Sequence, residues 1–312
     1  MKKVLLISTN ALGDTYLTCA AFNSIKNHFE KVSIDIVSTE SAKFILSEVG
    51  FDHLFLLKKK SFSEMHNMIT QVRKTKYDFV FNFFPGQMNS SIFKLSNAVE
   101  KIGFTNFIRK KSWHNDDDAL IIKSQPKEKR VWHPSDNYLH RISMSLKAAG
   151  IDGEVKKHVF NFDNIKENKY DVALHLFSFD ENRKISNDSI LEIVKELCVK
   201  QNQNVFLFGS EKEIIGLKEL KNIKNLKLEV SPDIKKLVNN IKKSKLFVGV
   251  DSFPLHIADA HNIKTLGIFY YPNENSVFQN MENKYIFRVN DNKVNSGELV
   301  NFIKEKKLID GI

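Results

Sequence analysis

Ser244-Lys-Leu-Phe-Val-Gly-Val-Asp251-Ser252-Phe253-Pro254-Leu255-His256-Ile257-Ala258-Asp259-Ala260 is the stretch that decides the fold. An apolar run at 246–250 suits a strand covered on both faces. It breaks at a short polar turn, and Pro254 then suits the opening of a helix. Unpaired N–H groups and the dipole at such a helix start favour an anion. Asp251 and His256 stand where they could hydrogen-bond a sugar or a phosphate. The plainer alternative makes Ser252 an ordinary cap and His256 a half-buried surface residue.

The same alternation extends outward in both directions. Short apolar runs recur at 4–7, 32–37, 54–57 and 79–84, then at 172–177, 205–208, 246–250 and 265–270. Helix-period segments such as 16–29, 189–200 and 234–243 lie between them. Strand and helix alternating twice over predicts two α/β units with parallel sheets. We expect domains at 1–160 and 161–312, with the polar stretch 161–169 as linker. Residues 109–137 are charged and poor in apolar side chains, which reads as a long surface loop, and a helix follows at 137–149. No repeat of 20–50 residues is visible.

Composition narrows the function. The 312 residues are 42% hydrophobic with 25 Phe, enough for two cores, and 27% charged, which excludes wholesale disorder. Twelve Gly and six Pro exclude collagen-like and low-complexity chains. The net charge of +10 favours anionic partners without choosing among them. Nucleic acid is not the expected one, since no helix-turn-helix, RRM or zinc signature accompanies the charge. Cys19 and Cys198 form no C-x-x-C pair, so a reducing compartment and buried thiols are expected. The apolar stretch after Met1-Lys2-Lys3 breaks at Ser8-Thr9-Asn10, too soon for a signal peptide. No run reaches membrane-spanning length, so the expected location is cytoplasmic, with at most peripheral membrane contact.

In open α/β sheets ligands bind outside the carboxyl ends of the strands. The first strand leads into Ser8-Thr9-Asn10-Ala11-Leu12-Gly13-Asp14-Thr15, then a helix. Asp14 suits either a helix N-cap or a functional carboxylate. The loop lacks G-x-G-x-x-G spacing and a Gly-Lys-[Ser/Thr] end, which weakens dinucleotide and P-loop readings.

The segment Val-Gly-Val-Asp251-Ser-x-Pro-x-His256-Ile-Ala resembles the V-G-x-D-[ST]-G-x-x-H-[LI]-A signature of glycosyltransferase family 9, the bacterial heptosyltransferases. Other motifs follow in the family's order. Asn10-Ala-Leu-Gly13-Asp14-Thr15-Tyr-Leu-Thr is similar to its N-terminal G-D loop, and Tyr77-Asp78-Phe-Val-Phe-Asn82 to its Y-D strand. Ile102-Gly103-Phe104 resembles its R-[IV]-G-[FY] turn, and Arg183-Lys184-Ile185-Ser186 its K-R-W-P segment. Leu207-Phe208-Gly209-Ser210-Glu211-Lys212-Glu213 is similar to its [FL]-G-[GS]-x-x-[DE] segment.

The resemblance implies a GT-B fold, two Rossmann-like domains with parallel sheets facing across a cleft: an acceptor domain, then a nucleotide-sugar domain. It implies an inverting, metal-independent transfer without cofactor, from a nucleotide-sugar such as ADP-heptose to a lipopolysaccharide core or related anionic glycolipid acceptor. Such a transfer needs a carboxylate to take the acceptor's proton and positive charge or dipoles on the departing diphosphate. Asp14 matches the base, in an acceptor-side loop with Asn10, Gly13 and Thr15. Arg183, or Lys184 if the register slips by one, matches the phosphate cation. Asp251, Ser252, Phe253 and His256 would form the donor site, and Ser210 with Glu211 or Glu213 would meet the nucleotide. The alternatives are another nucleotide-sugar, a protein or capsule acceptor, or a noncatalytic sugar-binding member of the fold. Three departures bear on them: Phe253 replaces the signature's Gly, whose lack of a side chain allows close backbone approach, and Ile185 and Ser186 replace Trp and Pro.

Remaining features read more plainly. Asp116-Asp117-Asp118 sits in a charged stretch rather than after a strand, so no metal is expected there. Trp132, His133 and His140 suit sugar contact or packing. Lys58-Lys59-Lys60 and Arg109-Lys110-Lys111 are solvated runs that could meet lipid phosphates.

Overall fold

The protein is described by a computed structural model, which covers residues 1–59, 61–105, 119–123, 131–132, 137–162, 169–178, 180–289 and 294–309. Two compact units result, Met1–His158 and Val159–Ile312, against the expected division at 160/161. Most of the expected linker, Lys60, and the Arg109 and Asp116 runs lie outside the described residues.

The first unit contains β1 (Lys2–Ile7), β2 (Val32–Thr39), β3 (His53–Leu57), β4 (Tyr77–Asn82), β5 (Ala98–Thr105), β6 (Ala119–Lys123) and β7 (Val131–Trp132). Their order is β3-β2-β1-β4-β5-β6-β7. The pairs through β5 are parallel, whereas β6 and β7 join antiparallel. This corrects two expectations, a wholly parallel first sheet and a loop throughout 109–137. Ala119-Leu-Ile-Ile-Lys is apolar enough to add a strand between β5 and β7, and its charged flanks hide the signal. A third correction concerns Ile102-Gly103-Phe104, which is strand rather than turn. Gly103 pairs with Asn82, and a Cβ there would sit 2.5 Å from the Asn82 carbonyl oxygen.

The second unit contains β8 (Tyr170–His175), β9 (Val205–Gly209), β10 (Leu226–Val230), β11 (Ser244–Val250), β12 (Thr265–Phe269) and β13 (Lys284–Arg288). Their order is β10-β9-β8-β11-β12-β13, with every pair parallel. The central strands are buried along nearly their whole length, as strands covered by helices on both faces must be.

Each sheet grows outward from its first strand in one direction and then reverses. The reversals fall between β1 and β4 and between β8 and β11. At such a switch point neighbouring loops leave in opposite directions and open a crevice. Both cysteines are free and buried. Burial pushes the Cys198 thiol up to about 12 and the Cys19 thiol further still, so both act as small apolar groups.

Candidate functional site

In the second unit, β8 and β11 run in register with Gly249 opposite His175. A Cβ at Gly249 would lie 3.0 Å from the His175 carbonyl oxygen and 2.7 Å from the Phe247 ring, so a side chain there would force the strands apart. Past β11, Asp251 and Ser252 turn the chain into the helix Phe253–Ala260. Phe253 is its first residue and Pro254 its second, so the helix starts one place earlier than Pro254 alone suggested. Ser252 sits at the cap position, yet among the described residues its hydroxyl makes no cap bond to the helix. It donates to the Val250 carbonyl at 3.1 Å and lies 3.1 Å from His175 Nδ1. The Ser252 hydroxyl is thereby turned away from the helix's first N–H groups.

Arg183 lies at the end of a short turn, Glu181–Arg183, that follows β8. Its Nη1 donates to Asp251 Oδ2 at 2.7 Å and to the Asp251 carbonyl at 3.2 Å. Its Nε donates to Asp180 Oδ2 at 3.2 Å. Asn273, beyond β12, donates to the same Asp251 oxygen at 3.0 Å. Arg183, two carboxylates and Asn273 thus form a half-buried network over three loops, and Arg183 Nη2 has no partner among the described residues. Lys184 goes elsewhere and forms an exposed pair with Glu181 at 3.3 Å. Ile185 is buried in the core, and Ser186 caps the following helix, so these departures serve packing and helix initiation.

The other end of the helix Phe253–Ala260 is fixed by Asp259. Its Oδ2 accepts the Gln279 N–H at 2.8 Å, and Lys284 Nζ stands 3.8 Å from its Oδ1 with both side chains fully buried. Burial pulls the Lys284 ammonium below its ordinary range. Phe253 and His256 are 8% and 4% exposed. His256 is therefore a buried residue of the first turn rather than a surface one, and the Phe253 ring is tucked in rather than displayed.

Ser210 and Glu213 form a reciprocal capping box on the helix Glu211–Ile214. Glu213 Oε2 accepts from both the backbone and the hydroxyl of Ser210 at 2.7 Å, so that oxygen is committed to the loop. Glu211 is exposed in the same turn. A residue absent from the sequence reading joins this edge: His175, half-buried at the end of β8 and 5.1 Å ring-to-ring from Phe208. Its burial drives its pKa down to about 4, against an opposing pull from the Glu213 charge. The ring is neutral at physiological pH. The available signal was a His within the apolar run expected at 172–177, but its partner Ser252 lies far along the chain.

In the first unit the loop after β1 is locked to the loop after β4. Thr9 donates its N–H to Asn89 Oδ1 at 2.9 Å and its hydroxyl to the same oxygen. Asn89 Nδ2 donates to the Phe84 carbonyl at 2.8 Å, and Asn10 Nδ2 to the same carbonyl at 3.3 Å. The helix Leu12–Thr18 follows, with Ala11 at its cap position and Asp14 in its first turn. Asp14 is thus not the cap but a half-buried carboxylate one place beyond the half-buried Gly13. Thr15 is buried, with its hydroxyl near those of Ser8 and Ser38 at 3.2 and 3.3 Å, and so braces the loop from inside. His140 is exposed on the helix Tyr138–Ala148, whereas Trp132 contributes strand backbone and His133 falls outside the described residues.

Comparison with known proteins gives a consistent picture. The family model of glycosyltransferase family 9 (heptosyltransferase) matches residues 65–300. Lipopolysaccharide heptosyltransferase 1 of Campylobacter coli is 24% identical over 91% of this chain and 89% of its own. Among solved structures, E. coli heptosyltransferase WaaC with ADP is similar at TM-score 0.70 and 14% identity, over 97% of this chain and 99% of that one. The same enzyme with ADP-2-deoxy-2-fluoro heptose is similar at TM-score 0.70 and 15% identity, with the same coverage.

Proposed function

The chain belongs to glycosyltransferase family 9 and is a glycosyltransferase of GT-B fold, and on that premise we propose that it moves heptose from ADP-heptose onto a lipopolysaccharide core or related anionic glycolipid. The observation that carries the donor half is the Arg183–Asp251 pair at the β8/β11 switch point, beside the start of the helix Phe253–Ala260. The donor supported on similar structures is an adenosine diphosphate and its sugar derivative.

In the proposed reaction an acceptor hydroxyl attacks the anomeric carbon and gives its proton to Asp14. A carboxylate in that role contributes about 10²–10⁴ to the rate. The anomeric C–O bond breaks with its electron pair going to the diphosphate, which leaves as ADP. Arg183, through Nη2, and the first N–H groups of the helix Phe253–Ala260 stabilise the charge that develops. Asp251, itself held by Asn273, and Asp180 keep the guanidinium in place and leave Nη2 for the phosphate. His175 keeps the Ser252 hydroxyl turned away from the helix start. In this reading Asp251 and His256 hold sugar hydroxyls, while Ser210 and Glu211 meet the nucleoside. No step requires a metal ion. The acceptor places the enzyme at the cytoplasmic face of a bacterial inner membrane; among the described residues no helix is long and apolar enough to cross one.

Calorimetric titration with ADP, UDP, GDP and CDP, with and without EDTA, tests this reading. The expected result is selective ADP binding that survives EDTA and falls about tenfold to a hundredfold in Arg183→Ala, the loss of one charge-assisted contact. Preference for another nucleotide would discard heptose as donor. Binding of none of the four would favour a second reading, a noncatalytic member of the fold. Phe253 motivates that reading, because it is a buried ring where the family signature has Gly.

A further inference from the structure

We propose that the turn after β3, carrying Lys58, Lys59 and Phe62, is a contact surface for an anionic lipid bilayer. Phe62 is 78% exposed, and it is the only aromatic residue more than half exposed among the described residues. It opens the helix Phe62–Val72, which buries Met68, Ile69 and Val72, so Phe62 takes no part in packing that helix. Nor is its position loose. Ser61 caps the helix by accepting the Glu64 N–H at 3.3 Å. Glu64 Oε2 in turn accepts the backbone N–H groups of Lys58 and Lys59 at 2.8 and 3.0 Å.

The consequence is a division of labour. The acidic side chain faces backbone amides, whereas Lys58 and Lys59 are exposed. An aromatic ring held out beside two cations suits the boundary of a membrane, with the ring among the headgroups and the ammonium groups over anionic lipid phosphates. A protein partner would more often meet a wider apolar patch with a polar rim, and here one ring stands among Lys58, Lys59, Ser61 and Ser63, all exposed. The turn follows the carboxyl end of β3, the same edge of the first sheet as the Asp14 loop. The inference goes beyond the proposed transfer and does not depend on it, since lipid binding is read without donor or acceptor.

The test is sedimentation of the full chain with vesicles of phosphatidylcholine alone and with about one third phosphatidylglycerol, at rising salt. The wild-type protein is expected to bind only the anionic vesicles and to release them as salt rises. Lys58→Glu with Lys59→Glu should weaken binding at least about tenfold, and Phe62→Ser about fivefold. Both should melt at the wild-type temperature, as exposed positions allow. Phe62→Trp should keep binding, with added fluorescence that brominated acyl chains quench beyond the Trp113 and Trp132 background. Failure of the wild type to bind, equal binding to neutral vesicles, or unchanged binding in the charge and Phe62→Ser variants would each overturn the proposal. Loss of lipid binding with unchanged ADP affinity separates this result from failure of the transferase reading.

Discussion

The loops leaving β1 and β4 are tied together by neutral groups, while those leaving β8 and β11 are tied by charge. Thr9, Asn10 and Asn89 converge on one amide and one carbonyl in the first unit. Arg183, Asp180 and Asp251 hold the corresponding loops in the second. The strand order is alike in both sheets through six strands, and the direction through five, so topology supplies a crevice twice and side-chain chemistry separates the two. In the proposed reaction the neutral loop carries Asp14 as the base, in the first turn of the helix that follows it. A charged network whose guanidinium keeps one nitrogen without a partner among the described residues suits a diphosphate.

The comparison breaks most visibly at Asp14. Asp14→Asn is expected to lower transfer by about 10²–10⁴ while ADP affinity stays within about twofold of wild type. Rate assays and calorimetry on one preparation check it, and lost ADP binding would mean that Asp14 serves the donor instead. A smaller effect is expected from Asn89→Ala, which leaves the Thr9 donors and the Phe84 carbonyl without their shared partner in a fully buried position. The expected cost is about 1–3 kcal/mol in chemical denaturation, again with ADP affinity preserved. Were nucleotide binding to fall as much as stability, the two switch points would not be chemically separate.

The smallest effect sharpens the donor side. In the folded protein the His175 ring takes a proton only near pH 4, whereas in the unfolded chain it does so near its ordinary value of about 6.5. Below that value the unfolded state binds more protons, so stability falls as the pH drops from about 6.5 toward 4. His175→Gln should flatten this part of the melting-temperature profile by a few degrees, about what one such group commands. Identical profiles would remove the neutral His175–Ser252 contact from the account.

Much of the fold was legible because buried parallel strands are continuous apolar runs, and the eight expected strands are all present. The unread strands are of another kind. Ala98-Val-Glu-Lys-Ile-Gly-Phe-Thr, Leu226-Lys-Leu-Glu-Val and Lys284-Tyr-Ile-Phe-Arg mix polar with apolar residues, Val131-Trp132 is only two residues long, and Ala119-Leu-Ile-Ile-Lys hides within a charged stretch. The site was legible at the level of segments. Asp251, Ser252 and Arg183 do flank the β8/β11 switch point, whereas Lys184 and Thr15 follow local demands, an exposed ion pair and a buried hydroxyl cluster. Ser210-Glu-Lys-Glu213 carried a readable capping signature, and its oxygen is used for that.

The sequence by itself determined the two α/β units, the turns that bear polar residues, and the family. These depend on periodicity and on short motifs, which neighbours along the chain complete. Only the tertiary structure decided that Arg183 binds Asp251, that His175 meets Ser252, and that Phe62 stands clear of the core. Each involves parts of the chain distant in sequence, and strand order brings them together or keeps them apart. A hydrogen bond formed at 3 Å leaves no trace in the residues that separate its partners.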